Sequence, residues 1–237
     1  MVTIGVFDSG VGGLSILDEA LQQLPHHNYI YFADSANAPY GDKPPQWIAE
    51  RSLQICRYLV EQDCSAIVVA CNTATAEAIA TIRSTLDIPI IGVEPGIKPA
   101  AMQSQNGIVG VLATEATLNS DKFNALLATL PEHCQFIKQA GAGLVPLIEA
   151  GLVETPEMQA LLRSHLKPIQ DQGADTLVLG CTHYPFLKKM IRAVVGDSMT
   201  LIDTSDAVVR QLLRQMHQQG LIVGSKHSPK LSLLSTA

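Results

Sequence analysis

The chain has 237 residues, 47% of them hydrophobic and 16% charged, and a formal net charge of −6, which is typical of a folded protein of one large or two small domains. The negative charge and the lack of any Lys or Arg run argue against a nucleic-acid or acidic-membrane partner. No apolar run approaches the roughly 20 residues of a membrane span and the first ten residues do not form a signal peptide, while the five cysteines suggest reduced thiols, so we expect a cytoplasmic protein.

The first part of the chain alternates short apolar segments with segments of helical periodicity. Strands are predicted at residues 3–7, 28–33, 66–70 and 89–93, and helices at 14–24, 45–62 and 75–86. Cys56 falls on the apolar face of the helix over 45–62, so it is predicted to lie in the core. Pro95 and Gly96 follow the fourth strand, and this Pro-Gly pair predicts a domain crossing.

The same alternation restarts near residue 107. Strands are predicted at 107–113, 136–138, 176–179 and 200–202, and helices at 118–130, 144–150, 156–172, 185–195 and 206–219, before a weakly patterned tail over 220–237. Eight short strands alternating with helices predict a parallel α/β fold with two similar lobes. The first lobe is predicted to comprise residues 1–95 and 207–237, and the second residues 96–206.

Two segments share one pattern, IVVACNTATA at 67–76 and LVLGCTHY at 177–184. Each reads as a buried strand, then a cysteine, then polar side chains. Ligands of parallel sheets gather at the carboxyl ends of strands, and a helix N-terminus there favours the reactive thiolate. A single such cysteine is more simply a small core residue, but the matching positions of Cys71 and Cys181 favour a reactive site.

Two thiols on opposite sides of one carbon atom would invert a stereocentre. One removes a proton from one face, and the other returns a proton to the opposite face. Asp8, at the tip of the first strand, and His183, two residues after Cys181, are the predicted proton partners of Cys71 and Cys181.

Six motifs in order carry a family resemblance: DSGVGG at 8–13, PYG at 39–41, ACNTATA at 70–76, ATEAT at 113–117, VPLIEAG at 145–151 and GCTHYP at 180–185. The chain resembles the glutamate racemases of the cofactor-independent aspartate/glutamate racemase superfamily. The resemblance implies two α/β lobes with the active site in the cleft between them. It also implies 1,1-proton transfer between L- and D-glutamate with no cofactor and no metal, and supply of D-glutamate for peptidoglycan. A homodimer is possible, and the sequence does not determine the oligomeric state.

The resemblance also implies roles for individual residues. Cys71 would act on the D enantiomer and Cys181 on the L enantiomer, supported by Asp8, Glu149 and His183. The implied substrate-binding residues are Ser9, Pro39, Tyr40, Gly41, Asn72, Thr73, Thr114, Thr117 and Thr182. Without the resemblance, Glu149 reads as a solvated acid, and Thr114 and Thr117 as the start of a helix.

Several alternatives stay open at this point. An aspartate racemase would need a pocket one methylene shorter, which the motifs do not reveal. Gly10, Gly12 and Asp34 partly match a dinucleotide fingerprint, with Ser15 in place of the third glycine, as in a nucleotide-dependent oxidoreductase. The others are a two-lobed ligand-binding protein without catalysis and a metal site formed by Cys71, Cys181 and His183. AGAG at 140–143 replaces the Ala-Cys-Pro of many relatives, and no role is assigned to Cys64 or Cys134.

Overall fold

The computed structural model describes residues 2–222 and 229–237, so the stretch 223–228 of the predicted tail lies outside the described residues. The chain forms two compact units. The first contains residues up to Val93 together with those from Ser205 onward, and the second comprises Glu94–Thr204. In the described ranges, no helix is long and apolar enough to cross a membrane.

Strands and helices alternate along most of the chain. The strands of the described residues are β1 (Thr3–Asp8), β2 (Asn28–Ala33), β3 (Cys64–Val69), β4 (Ile90–Gly92), β5 (Ile108–Ala113), β6 (Gln135–Ala140), β7 (Thr176–Gly180), β8 (Thr200–Ile202) and β9 (Leu231–Ser235). The α-helices are α1 (Leu14–Gln23), α2 (Pro45–Glu61), α3 (Asn72–Thr85), α4 (Ile97–Gln103), α5 (Glu115–Asn119), α6 (Asp121–Leu127), α7 (Leu144–Glu149), α8 (Pro156–Asp171), α9 (Lys188–Val195) and α10 (Ser205–Gln218). Short 3₁₀ helices cover Ser35–Asn37, Tyr40–Asp42 and Tyr184–Leu187.

The first unit is a three-layer α/β structure. Its five parallel strands have the order β4-β3-β1-β2-β9. One face of the sheet packs against α1 and α10, and the other packs against α2 and α3. Because both faces are covered, the central strands consist of continuous apolar residues, as is usual for parallel sheets.

The second unit is built in the same way around four parallel strands in the order β6-β5-β7-β8. Apolar residues of α4, α5 and α6 cover β5 and β7 on one side. On the other side α8 approaches closely, since a Cβ atom built on Gly110 would lie 2.4 Å from Cγ2 of Ile169. The predicted fold class, two parallel-sheet α/β units, is confirmed.

Cys56 is fully buried in the core between α2 and the sheet, as predicted. Some details differ from the predictions. The helix expected at 118–130 is two helices, because Ser120 is extended and its Oγ accepts a hydrogen bond from the Phe123 N–H at 3.2 Å, which starts α6. Helix α4 was not predicted.

The ninth strand, β9, also differs from the predictions and lies in the tail, where no strand is predicted. It pairs in parallel with β2, from Tyr29↔Leu231 to Ala33↔Ser235. Most of its side chains are exposed, so burial imposes no apolar pattern on its sequence, and backbone pairing with β2 provides most of its contact.

Candidate active site

Cys71 lies at the carboxyl end of β3 and is the N-cap of α3. Its Sγ accepts a hydrogen bond from the Ala74 N–H at 3.4 Å, and Ser9 Oγ lies 3.5 Å from the same sulfur. The helix begins at Asn72, immediately after the cysteine, whereas the sequence predicted a start at residue 75. The thiol is therefore held where free N–H groups and the positive end of the helix dipole stabilise an anion.

Asp8 ends β1, beside β3, and its side chain is fully buried. Its Oδ1 accepts a hydrogen bond from the Gly10 N–H at 2.8 Å. The following loop passes close to both strand ends, since a Cβ atom on Gly13 would lie 2.8 Å from Asp8 Cβ and 3.0 Å from Ala70 Cβ. A glycine is required there, and it brings Asp8 and Ser9 to the edge of the sheet where Cys71 lies.

Asn72 and Thr73 form the first turn of α3 and are 5% and 3% exposed. Asn72 Nδ2 is buried and has no hydrogen-bond acceptor among the described residues. Buried side-chain donors are nearly always paired, and an unpaired one is costly. The Asn72 amide is thus suited to donate to an oxygen of a bound ligand.

The Pro39–Gly41 loop lies beside this corner. Tyr40 is 1% exposed, and its ring makes an edge contact with Trp47 and a tilted contact with Phe7. Its hydroxyl donates to Asp34 Oδ2 at 2.6 Å. Burial is the main cause of the raised pKa of Tyr40, and the negative charges of Asp34 and Cys71 raise it further, so the phenol lies within electrostatic reach of Cys71.

In the second unit, Cys181 follows the last residue of β7 directly and is 6% exposed. Its Sγ lies 3.7 Å from Nδ1 of the buried His183, and Nε2 of His183 lies 2.5 Å from Oε1 of Glu149, the last residue of α7. An ionised carboxylate only accepts hydrogen bonds, so in the neutral imidazole the proton is assigned to Nε2. Nδ1 then carries the lone pair that faces the Cys181 thiol.

The surroundings of the two thiols differ in one respect that the sequence did not predict. A helix was expected from residue 185, but Cys181 is followed by the single-turn 3₁₀ helix and α9 begins only at Lys188. Cys71 is therefore next to an α-helix N-terminus, whereas the prominent neighbour of Cys181 is the imidazole of His183. The side chain of Glu149 is 16% exposed, so it is mostly buried against His183 and is not a solvated acid.

Thr114, Thr117 and Thr182 lie at the sheet edge that carries Cys181. Thr114 is the N-cap of α5, and its Oγ1 accepts from the Thr117 N–H at 3.2 Å and donates to Thr117 Oγ1 at 2.9 Å. Thr114 and Thr117 follow β5, whose Ala113 is paired with Gly180 of β7, so they lie at the same sheet edge as Cys181 and Thr182. Thr117 and Thr182 are 1% and 5% exposed.

The AGAG segment makes room for a side chain next to Cys181. Tyr184 is fully buried, and its hydroxyl lies 3.4 Å from the Gly141 carbonyl oxygen. A Cβ atom on Gly141 would lie 2.2 Å from the Tyr184 hydroxyl oxygen, so this contact requires glycine unless the tyrosine moves. The AGAG segment thus packs against Tyr184, three positions after Cys181.

The structure argues against the dinucleotide interpretation. Asp34, the expected ribose ligand, is fully buried and is bound by Arg51, Tyr40 and Asn37. Asp8 accepts the Gly10 N–H, which in that interpretation would face a pyrophosphate. In the part of the chain that the structure describes, no three His, Cys, Asp or Glu side chains are grouped so that they could hold a metal ion.

The sequence alone did not indicate a role for Arg51. This residue lies on α2 with a side chain 26% exposed, and nothing in the local sequence separates it from the other charged residues of that helix. Only its partner, the buried Asp34, carried a signal, as an acid directly after a strand. Of the two cysteines without an assigned role, Cys64 is buried at the start of β3, and Cys134 is partly exposed.

A sequence profile of the Asp/Glu/Hydantoin racemase family matches residues 5–212. The chain belongs to this family. As a racemase it is an isomerase. A glutamate racemase from Cupriavidus pinatubonensis is 53% identical over 233 residues, which are 98% of this chain and 86% of that protein.

Solved structures of family members have the same fold. Escherichia coli glutamate racemase in complex with L-glutamate and the activator UDP-MurNAc-Ala has a TM-score of 0.90 and 36% identity, with 100% of this chain and 89% of that chain covered. Francisella tularensis glutamate racemase in complex with D-glutamate has a TM-score of 0.86 and 31% identity, with coverage of 100% and 88%.

Proposed function

We propose that this racemase interconverts L- and D-glutamate by two-base proton transfer, with Cys71 and Cys181 as the two bases. The substrate assignment is supported by the 53% identity to a glutamate racemase and by the complexes of two relatives with L- and D-glutamate. The observation that supports the mechanism most directly is the contact chain from Cys181 through His183 to Glu149. It gives one thiol a proton acceptor of suitable geometry.

In the proposed reaction, one cysteine gains a proton and the other loses one, so the proton balance closes with two thiols and one substrate. For L-glutamate, the Cys181 thiolate takes the α-proton, and the electron pair of the C–H bond is delocalised into the α-carboxylate. The Cys71 thiol then donates its proton to the opposite face of the α-carbon, which gives D-glutamate and leaves Cys71 as the thiolate. The reverse reaction exchanges the roles. This mechanism requires both thiols to reach the same α-carbon from opposite sides.

His183 resets the Cys181 thiol between turnovers. With its proton on Nε2, it accepts the thiol proton at Nδ1, and the resulting imidazolium is stabilised by the Glu149 carboxylate at 2.5 Å. In this proposal Asp8 and Ser9 have the same task at Cys71, and the 3.5 Å distance from Ser9 Oγ to the sulfur supports it. A carboxylate near a thiolate also raises its pKa and makes it a stronger base.

Neutral donors hold the substrate in this proposal. The unpaired Asn72 amide is directed at one substrate carboxylate, together with hydroxyl and backbone groups of Ser9, Pro39, Tyr40, Gly41, Thr73, Thr114, Thr117 and Thr182. Hydrogen bonds to a charged acceptor are strong enough for this purpose. They fix the dianion without a cation beside the thiolates, where a positive charge would lower the thiol pKa and weaken the base.

Proton exchange in D2O tests the two-base assignment. We expect Cys71→Ser and Cys181→Ser each to lower racemisation by at least about 10²-fold, the usual contribution of an acid or base. Cys181→Ser should still exchange the α-proton of D-glutamate without inverting it, and Cys71→Ser should exchange only that of L-glutamate. Exchange is followed by loss of the α-proton NMR signal, and racemisation by circular dichroism.

The control is Cys134→Ser, which changes a partly exposed cysteine without an assigned role and should leave both rates unchanged. Unimpaired racemisation by either active-site variant would refute the mechanism while leaving glutamate as substrate. Faster turnover of L- or D-aspartate than of glutamate in the same assay would refute the substrate assignment instead.

We further propose that the enzyme acts in the cytoplasm and that its D-glutamate enters peptidoglycan. All five cysteines are free, as expected of thiols in a reducing compartment. The homodimer left open by the sequence stays a prediction, and light scattering on the purified protein checks it.

A further inference from the structure

Asp34 is a buried carboxylate with an unusually complete set of donors. Arg51 binds it in a bidentate manner, through Nε to Oδ2 at 2.9 Å and Nη2 to Oδ1 at 2.7 Å. The Tyr40 hydroxyl, the Asn37 amide and the Thr236 hydroxyl donate to the same carboxylate. Burial by itself raises the pKa of Asp34, but these hydrogen bonds outweigh it and lower the pKa to about 2, so the group is ionised at neutral pH.

This cluster is connected to the catalytic corner by two short routes. The backbone N–H of Asp34 donates to the carbonyl oxygen of Asp8 at 3.0 Å, which fixes the end of β2 against the end of β1. Tyr40, whose hydroxyl lies 2.6 Å from Asp34 Oδ2, is buried in the same packed cluster as Phe7 and Cys71. Asp34 thus bonds both to the strand end that carries Asp8 and to the loop that carries Tyr40.

The cluster also joins three separate parts of the chain. Asp34 follows β2, Arg51 comes from the second turn of α2, and Thr236 follows β9 and also accepts the Ala36 N–H at 3.1 Å. A carboxylate with these partners is more restricted in geometry than a surface ion pair, because it is fully buried and its bidentate arginine fixes the angle as well as the distance. The Pro39–Gly41 loop is therefore attached to this cluster through the Tyr40 hydroxyl.

We propose that Arg51 and Asp34 are positioning residues for racemisation: their ion pair holds the Pro39–Gly41 loop, through the Tyr40 hydroxyl, in the conformation that binds the substrate carboxylate. The inference rests on the proposed function, which gives this loop its substrate. Asp34 and Arg51 themselves do not touch the reacting atoms. Because the loop binds the substrate in the ground state and the transition state alike, a loosened anchor raises KM more than it lowers kcat.

Two substitutions of Arg51 separate geometry from charge. Arg51→Lys keeps the positive charge but has no planar fork, and Arg51→Gln removes the charge. If the bidentate geometry positions the loop, both variants raise KM for glutamate about tenfold while kcat changes less than threefold. The matched control is Arg57→Gln on the exposed side of the same helix, which should leave both constants unchanged.

A double-mutant cycle tests whether the anchor acts through the loop. Tyr40→Phe removes the hydroxyl that Asp34 accepts, so we expect it to raise KM by a similar factor. Without the Tyr40 hydroxyl the loop is no longer bonded to Asp34, so a change at Arg51 should have little further effect on it. Arg51→Lys combined with Tyr40→Phe should therefore raise KM about as much as either change alone. Independent roles would instead multiply the two effects.

Folding is controlled separately, because a buried carboxylate that loses its arginine is destabilising. Each variant is assayed well below its own unfolding midpoint, and its folded fraction is measured by circular dichroism. Unchanged KM in folded Arg51→Lys and Arg51→Gln would overturn the positioning role and leave only a structural ion pair, and a fully multiplicative double mutant would overturn the route through Tyr40. Wild-type protein that fails to racemise glutamate would overturn the proposed function, and this inference with it.

Discussion

Glu149→Gln tests how much the carboxylate contributes through His183. The substitution keeps the size of the side chain and an oxygen that accepts from His183 Nε2, but it removes the negative charge. Hydrogen bonds to charged groups contribute about 1.5–3 kcal/mol, compared with about 0.5–1.5 kcal/mol for neutral pairs. A loss of about 1–1.5 kcal/mol when the imidazolium forms corresponds to a roughly tenfold fall in kcat/KM.

The deuterium isotope effects measured from the two enantiomers give a second test. The two enantiomers have equal free energy, so kcat/KM must fall equally for L- and D-glutamate. The isotope effects need not change equally. If Cys181 acts on the L enantiomer, slower proton transfer at Cys181 should increase the deuterium isotope effect with α-deuterated L-glutamate and decrease it with the D enantiomer.

Both quantities are measured by circular dichroism with protonated and deuterated substrates. The control is Glu154→Gln, which changes an acid of the same unit that is 77% exposed and lies 3.7 Å from Lys189. Exposed pairs of this kind contribute little, so its activity should equal that of the wild type. Activity of Glu149→Gln within twofold of the wild type, or isotope effects that rise for both enantiomers, would contradict the role assigned to the His183–Glu149 pair.

Two further predictions concern stability. Burial lowers the pKa of His27, which is 4% exposed, so below about pH 6.5 the unfolded chain binds a proton that the folded chain does not, and the folded state loses stability as the pH falls. In urea unfolding at pH 7 and pH 5.5, the stability of His27→Phe should therefore depend less on pH than that of the wild type. An equal pH dependence in the two proteins would contradict this cause. Thr75→Val should lower the free energy of unfolding by about 1–3 kcal/mol in the same assay at pH 7, because the hydroxyl accepts from the buried Val93 N–H at 3.0 Å and donates to the Val69 oxygen at 3.1 Å. Thr75→Ser keeps the hydroxyl and should lower it less. Equal losses of stability in the two variants would show that the methyl group matters instead.

The predicted elements agree best with the structure where burial dictates the sequence. The strand predicted over 28–33 and that over 200–202 have the observed bounds, and the two cysteine corners lie at strand ends as expected. Both sheets are covered by helices, so their central strands must be apolar and the pattern is visible in one sequence. Strand β9 is the counterexample, because an edge strand with exposed side chains carries no such pattern.

Within the candidate site, only contacts between residues close in sequence could be predicted from the sequence itself. Cys181 and His183 are two residues apart, so their contact was inferred from spacing, whereas Glu149 is distant in sequence and was assigned by resemblance alone. The Arg51–Asp34 pair joins a helix to a strand end, and neither a period nor a motif indicates it. Contacts between distant segments depend on the fold, and they decide which charged residues are buried.

The Arg51–Asp34 pair also bears on how charge is distributed in the proposed site. A dianionic substrate would be bound most strongly by free cations, but a free cation beside a thiolate lowers its pKa and makes it a poorer base for an α-proton. Arg51 avoids this conflict because its charge is matched by Asp34 at 2.7 Å, so in this proposal the pair positions the loop without adding net charge. In the proposed mechanism, binding is then left to neutral groups such as the Asn72 amide, and the basicity of the thiols is preserved.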